Sequence, residues 1–131
     1  PVQPKGLALH IPMVVLVNGG TASAAEIVSG ALQDAHRAVL VGETTFGTGT
    51  VLKEFPLSGG SALLLAVEEW LTPDGHTIWH RGITPNIVVS LPSQAIPIFP
   101  DALGGMTSAQ LQASGDTQLL RAMNLLAKEE R

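Results

Sequence analysis

The sequence predicts an α/β fold, and three observations carry that prediction. Four consecutive apolar residues, Val14 to Val17, run into a small-residue turn; a helix-patterned stretch follows at once; a second short apolar run, Ala38 to Val41, ends at Gly42. Strand, helix and strand within about thirty residues make a βαβ unit, with a parallel strand pair and a right-handed crossover. A chain of 131 residues is long enough for one domain with a sizeable core, and 45% apolar against 14% charged content argues against disorder.

The stretch from Val14 to Ala35 organises the rest. Its apolar run, preceded by Met13, reads as a strand buried on both faces, as in parallel sheets. Asn18, Gly19, Gly20 and Thr21 break the pattern, after which Ala24, Ile27, Val28, Ala31, Leu32 and Ala35 share one helix face. Arg37 is placed to close that helix. Ser23 stands at the helix start, among free backbone N–H groups and the positive end of the helix dipole, which suits a nucleophile and an oxyanion. The same residue has a plainer reading, because Ser23-x-x-Glu26 fits the capping box.

Before this unit, Pro1 to Pro12 holds three prolines and leaves room only for a short extended Leu7 to Ile11. After it, Glu43 to Gly49 is a glycine-punctuated loop, and Thr50 to Pro56 a strand leading to the turn Ser58-Gly59-Gly60. By length alone Ala62 to Leu71 fits helix or strand; the turns on both sides, the second being Thr72-Pro73-Asp74-Gly75, favour a β-meander. Ile87 to Val89 reads as a final apolar strand, and Leu91 to Ser114, broken by three prolines, as a surface excursion. From Thr117 to Lys128, the residues Leu119, Leu120, Met123, Leu126 and Ala127 fall on one helix face, with Asp116 placed to cap it.

Composition removes several function classes. A net charge of −4 with no basic cluster, and 4% aromatics, supply neither phosphate tracking nor base stacking, so no nucleic-acid partner is expected. The absence of cysteine removes disulfides and thiolate metal sites. No apolar run approaches the roughly twenty residues of a spanning helix, so no integral membrane segment is expected. Gly47-Thr48-Gly49 lacks the third glycine of a dinucleotide fingerprint and no Gly-Lys-Ser/Thr occurs; Gly19, Gly20, Gly47 and Gly49 read as turn formers at positive φ. His76 and His80 follow a turn without an acidic third ligand, so they read as hairpin residues and not zinc ligands. Glu68 and Glu69 point to opposite strand faces and do not form the facing pair that glycoside hydrolysis needs. Trp70 and Trp79 read as packing residues. No metal and no cofactor is expected.

Several segments, in order, carry a more specific signal. Val17-Asn18-Gly19-Gly20-Thr21-Ala22-Ser23-Ala24-Ala25-Glu26-Ile27 is followed by a helix, then by Val41-Gly42-Glu43-Thr44-Thr45-Phe46-Gly47. Pro56 to Leu63, Thr72-Pro73-Asp74-Gly75, Gly82-Ile83-Thr84-Pro85-Asn86-Ile87-Val88-Val89 and Asp116 to Leu119 come next. Together they resemble the carboxyl-terminal processing peptidases, or tail-specific proteases, a serine peptidase family with a ClpP/crotonase-like α/β core.

The resemblance implies a serine-type peptidase that cleaves polypeptides near their C-terminal tails. It makes Ser23 the nucleophile that forms the acyl-enzyme and the Ala24 N–H one arm of the oxyanion hole, the other arm coming from upstream of Pro1. In the family a lysine twenty-five positions after the serine, in F-G-K-G, takes the serine proton, and a glutamine four further on orients it. This chain carries Thr48 and Leu52 at those positions. A threonine hydroxyl cannot accept a proton at neutral pH. Lys53 falls on the opposite strand face from residues 48, 50 and 52, and His36, thirteen residues along the helix, lies about 20 Å from Ser23.

The resemblance further implies that residues 1–131 are the C-terminal part of the catalytic domain, with the upstream core half and a PDZ domain outside them. It implies a polypeptide substrate, a periplasmic or other extracytoplasmic location, and self-association through exposed sheet edges. Two other readings are a catalytically inactive peptide-binding pseudoprotease and a crotonase-like acyl transferase.

Overall fold

The computed structural model describes Gly6 and residues 8–129. The βαβ unit is present: strand β1 (Val14–Val17), helix α1 (Ala24–Asp34) and strand β2 (Val39–Gly42). β1 and β2 pair in parallel with Val14 opposite Val39 and Val17 opposite Gly42, and β5 (Ile87–Val88) adds in parallel on the other side of β2. The order β1-β2-β5 leaves β2 central, and its Leu40 and Val41 are fully buried. β1 is an edge strand, so the expected burial on both faces fails at Leu16, which is 41% exposed.

The buried face of α1 also differs from the one the apolar spacing predicts. Glu26, Ser29 and Gly30 are the buried residues, Ile27 packs on the core, and Val28 is 58% exposed. The reason is close approach: a Cβ at Gly30 would lie 2.9 Å from the Thr72 methyl and 3.1 Å from Ile83, so small residues are needed on that face. Ser29 returns its hydroxyl to the Ala25 carbonyl at 2.7 Å. The helix ends before Arg37, whose guanidinium instead bonds the carbonyls of Ala8 and Ile11, the latter at 2.8 Å. Residues 8–11 are turn and bend where a short extended stretch is predicted, and Leu7 lies outside the described residues.

β3 (Thr50–Pro56) and β4 (Ala62–Glu69) form an antiparallel hairpin joined by a short 3-10 turn at Ser58–Gly60, with a bulge between Val51 and Leu52 in the pairing. The predicted meander stops at two strands: beyond the Thr72–Gly75 turn only a single bridge, Leu71 to Thr77, continues it. Every residue of β4 is exposed. Trp70 and Trp79, predicted to pack, are 43% and 37% exposed, and Trp79 stands edge-on to the His80 ring at 4.1 Å.

The predicted excursion contains two short helices, α2 (Pro100–Leu103) and α3 (Ser108–Ala113). The last helix, α4 (Thr117–Glu129), packs on β1 and β2. Asp116 caps it as expected, its Oδ1 accepting the Leu119 N–H at 2.9 Å. The helix buries Gln118 and Ala122, while Met123 of the predicted apolar face is 40% exposed. Val17, Leu40, Ile78 and Ile83 form the core, with Val15 and Ile27 against it. No helix among the described residues is long and apolar enough to cross a membrane.

Candidate active site

Ser23 follows the end of β1 and precedes the first residue of α1, at φ 54° and ψ −122°. Positive φ at a side-chain-bearing residue costs roughly 1–3 kcal/mol and persists only where surrounding bonds enforce it. Those bonds converge on its backbone N–H, which donates to Glu26 Oε2 at 3.0 Å and to Thr48 Oγ1 at 2.8 Å. The predicted capping box pairs Ser23 with Glu26, and its firm half is the Glu26 carboxylate. The Glu26 carboxylate reaches back to the Ser23 N–H, whereas the Ser23 hydroxyl makes no cap bond and is exposed.

Glu26 is wholly buried and holds the site together. Oε1 accepts the Thr45 hydroxyl and, at 2.7 Å, the Gly47 N–H; Oε2 accepts the Thr48 N–H at 2.8 Å, the Thr48 hydroxyl at 3.1 Å and the Ser23 N–H. Burial alone pushes this carboxyl upward, but the donors from Thr45, Gly47, Thr48 and Ser23 outweigh it and leave the pKa below its ordinary value. Thr45 passes the connection on, its Oγ1 accepting the Ile83 N–H at 2.7 Å. One carboxylate thus joins the Ser23 turn to the 45–48 loop, and through Thr45 to the 82–83 segment behind it.

Of the predicted glycines only Gly47 has positive φ, at 92°. Gly49 serves a different need: a Cβ there would stand 2.7 Å from that of Ile78. The sequence shows Glu26 only as half of a capping box. A carboxylate inside a run of otherwise small residues, with threonines at 45 and 48 downstream, is the signal of its larger role.

The structure brings Ser23, Ala24 and Thr48 together. The N–H groups of Ala25, Glu26 and Ile27 are taken by the Ala22 and Ser23 carbonyls, and that of Ala24 is one of the donors a helix start leaves open. The histidines are dispersed. His76 Nδ1 lies 4.0 Å from Asp34 at the far end of α1, and His10 and His36 border a separate hollow with Arg37. His80 is tied to the neighbouring loop by its backbone, whose N–H donates to the Gly47 carbonyl at 3.1 Å. Lys53 Nζ sits 5.5 Å above the Phe55 ring on the hairpin. Among the described residues no group of three or more His, Asp or Glu side chains could hold a metal ion.

Comparison with known proteins gives this arrangement a context. Residues 3–89 match the sequence model of peptidase family S41. The chain is 43% identical over 115 residues to the carboxyl-terminal-processing protease of Synechocystis sp., covering 88% of this chain and 24% of that protein. It is 48% identical over 91 residues to the carboxy-terminal processing protease CtpA of Bacillus subtilis, covering 70% and 20%. Among solved structures, the photosystem II D1 C-terminal processing protease superposes with a TM-score of 0.58 at 43% identity, over 62% of this chain and 22% of that one. The tricorn protease superposes at 0.65 over 90% of this chain and 10% of that one, at 18% identity, a likeness of fold alone. The chain spans about a quarter or less of the length of these proteins.

Proposed function

Because the chain belongs to peptidase family S41, a family of C-terminal processing serine proteases, we propose that it carries the nucleophile half of a polypeptide-cleaving site, with Ser23 as the attacking residue. The observation that carries this reading is the Ser23 backbone, held at positive φ on a strand-to-helix turn with the residue exposed. A strained turn of this kind is a known means of presenting a serine Oγ to substrate.

In this reading Ser23 Oγ forms a bond to the scissile carbonyl carbon and loses its proton to a base, while the Ala24 N–H donates to the developing oxyanion. The C–N bond then breaks, the leaving amine gains a proton, and water releases the acyl group from Oγ. The base is a group other than Thr48. Its hydroxyl already accepts the Ser23 N–H and donates to Glu26, and it cannot take a proton near neutrality. Thr48 holds the turn in place. The chain is the C-terminal part of the catalytic domain, and polypeptide tails in an extracytoplasmic compartment are its substrates.

That use of Thr48 also favours a second reading, a peptide-binding pseudoprotease that keeps the groove without the base. Fluorophosphonate labelling of the full-length protein beside its Ser23→Ala variant separates the two. Labelling lost on substitution supports the nucleophile; labelling that survives Ser23→Ala sinks the assignment, and none in either protein favours the pseudoprotease.

A further inference from the structure

At the end of the sheet away from Ser23, where β1 and β2 begin, lies a hollow of about 500 Å³. His10 comes to it from the entry segment, His36 and Arg37 from the end of α1, and Asn86 from the approach to β5; no Asp or Glu lines it. The nearest acid in the chain, Asp34, stands outside the hollow and accepts the Asp74 N–H at 2.9 Å. In a chain of net charge −4, positive and proton-accepting groups are gathered here without a carboxylate.

Arg37 is half-buried, and its charge meets only neutral oxygens. Its Nη2 bonds the Ala8 and Ile11 carbonyls, the latter at 2.8 Å, while Nε and Nη1 donate to no described residue. The one ion pair among the described residues, His76 with Asp34, is elsewhere. The end of α1 does not supply the missing negative charge through free carbonyls, because those of Ala31, Leu32 and Gln33 accept the N–H groups of Ala35, Arg37 and His36. Asn86 is likewise half-used: its Oδ1 accepts the Leu40 N–H at 2.8 Å, and its Nδ2 donates to no described residue. An unused guanidinium edge and an unused amide donor on one concave wall suit a carboxylate.

His36 adds a separate observation. It follows the helix cap Ala35 at φ 49°, the left-handed position that glycine fills at least cost. The chain holds an imidazole on the rim of the hollow where the backbone would be better served by no side chain.

We propose that this hollow binds an organic monoanion, a carboxylate carried on a small apolar body, and that acidification strengthens the binding. The single permanent charge, Arg37, matches a monoanion, and Leu9, Pro12 and Met13 offer the apolar body its contact. Imidazoles gain charge between pH 5 and 8, so His10 and His36 add attraction as pH falls, with no acid in the hollow to offset it. The site is independent of the role of Ser23.

Calorimetric titration of the full-length protein with N-acetyl-leucine, beside its uncharged amide, tests this. The acid should bind severalfold more tightly at about pH 5.5 than at about pH 8, its own carboxylate being ionised at both, and the amide should not bind. His36→Gly should leave the melting temperature at or above the parent's, since glycine relieves the backbone, and yet weaken binding at the lower pH severalfold. Adding His10→Gln should abolish the pH dependence. Absence of binding, equal affinity for acid and amide, or an affinity and pH dependence untouched by the two substitutions overturns the proposal.

Discussion

The Ser23 backbone N–H donates to the Thr48 hydroxyl oxygen at 2.8 Å, across 25 residues of chain. The same hydroxyl donates to Glu26 Oε2, so Thr48 serves as a strut between the serine turn and the buried carboxylate. Any gain of chemistry at position 48 has to replace that strut.

A lysine at this position tests whether the rest of the site is competent. In the full-length protein, Thr48→Lys should create or raise peptidase activity, by up to the 10²–10⁴-fold range of general base catalysis. Hydrolysis of a fluorogenic peptide by the variant and its parent is the measurement. No gain would mean that the site differs beyond position 48.

Glu26→Gln should destabilise the protein by roughly 2–4 kcal/mol, because an amide places its own N–H groups against donors that now meet a carboxylate. The pH dependence follows from the lowered pKa. A carboxyl depressed in the folded state contributes stability that is fully present above its unfolded pKa and is lost as pH falls through the folded value. Thermal stability of the parent should therefore fall on acidification below about pH 4.5, the region of an ordinary glutamate. The Gln variant should lack that component; an identical acid dependence in both proteins would show that Glu26 is not its source.

Gly82 has φ of 67°, and a Cβ there would collide with the Thr45 carbonyl oxygen. Gly82→Ala should cost roughly 1–3 kcal/mol through backbone strain and displaced packing. Since Thr45 also donates to Glu26, the loss should appear at the serine turn as well. Amide exchange at Ser23 and Thr48 would report it, and protection equal to the parent's would contradict the connection.

The β3–β4 hairpin exposes Leu52, Phe55, Leu63, Leu64, Leu65 and Val67 on a ribbon with two unpaired edges. Such a ribbon templates pairing with a second copy. The 131-residue chain should therefore associate with rising concentration, and Leu64→Lys should shift sedimentation toward the monomer. A parent that stays monomeric at high concentration would remove the ribbon as a self-association surface.

The parts of the fold that depend on local pattern were legible. The apolar runs Val14 to Val17 and Ala38 to Val41, the second observed as Val39–Gly42, the strand Thr50–Pro56 bounded by turns, and the Asp116 cap all announce themselves in the residues nearby. What escaped depends on partners distant in sequence. The packed face of α1 is set by Thr72 and Ile83, which demand a small residue at Gly30, so the stripe running through Val28 misleads. Leu16 reads as core but borders a cleft whose far wall begins eighty residues on, at Pro97. At the site, the family resemblance picked out Ser23 and Thr48, whereas the five donors of Glu26 come from four residues that no single spacing links.

The bonds to Glu26 also bear on how this region opens. If the 45–48 loop lifted away alone, a buried carboxylate would lose the donors that make its burial tolerable, a cost of several kcal/mol. Separate fluctuations of the two segments are thereby suppressed, and the serine turn and the loop behave as one cooperative unfolding unit. The strained Ser23 backbone then exists only in molecules where both segments are docked, and a partly opened chain relaxes its serine into ordinary geometry. Reactivity at Ser23 would report the integrity of the whole unit, residue 23 through residue 48, as a single all-or-none signal.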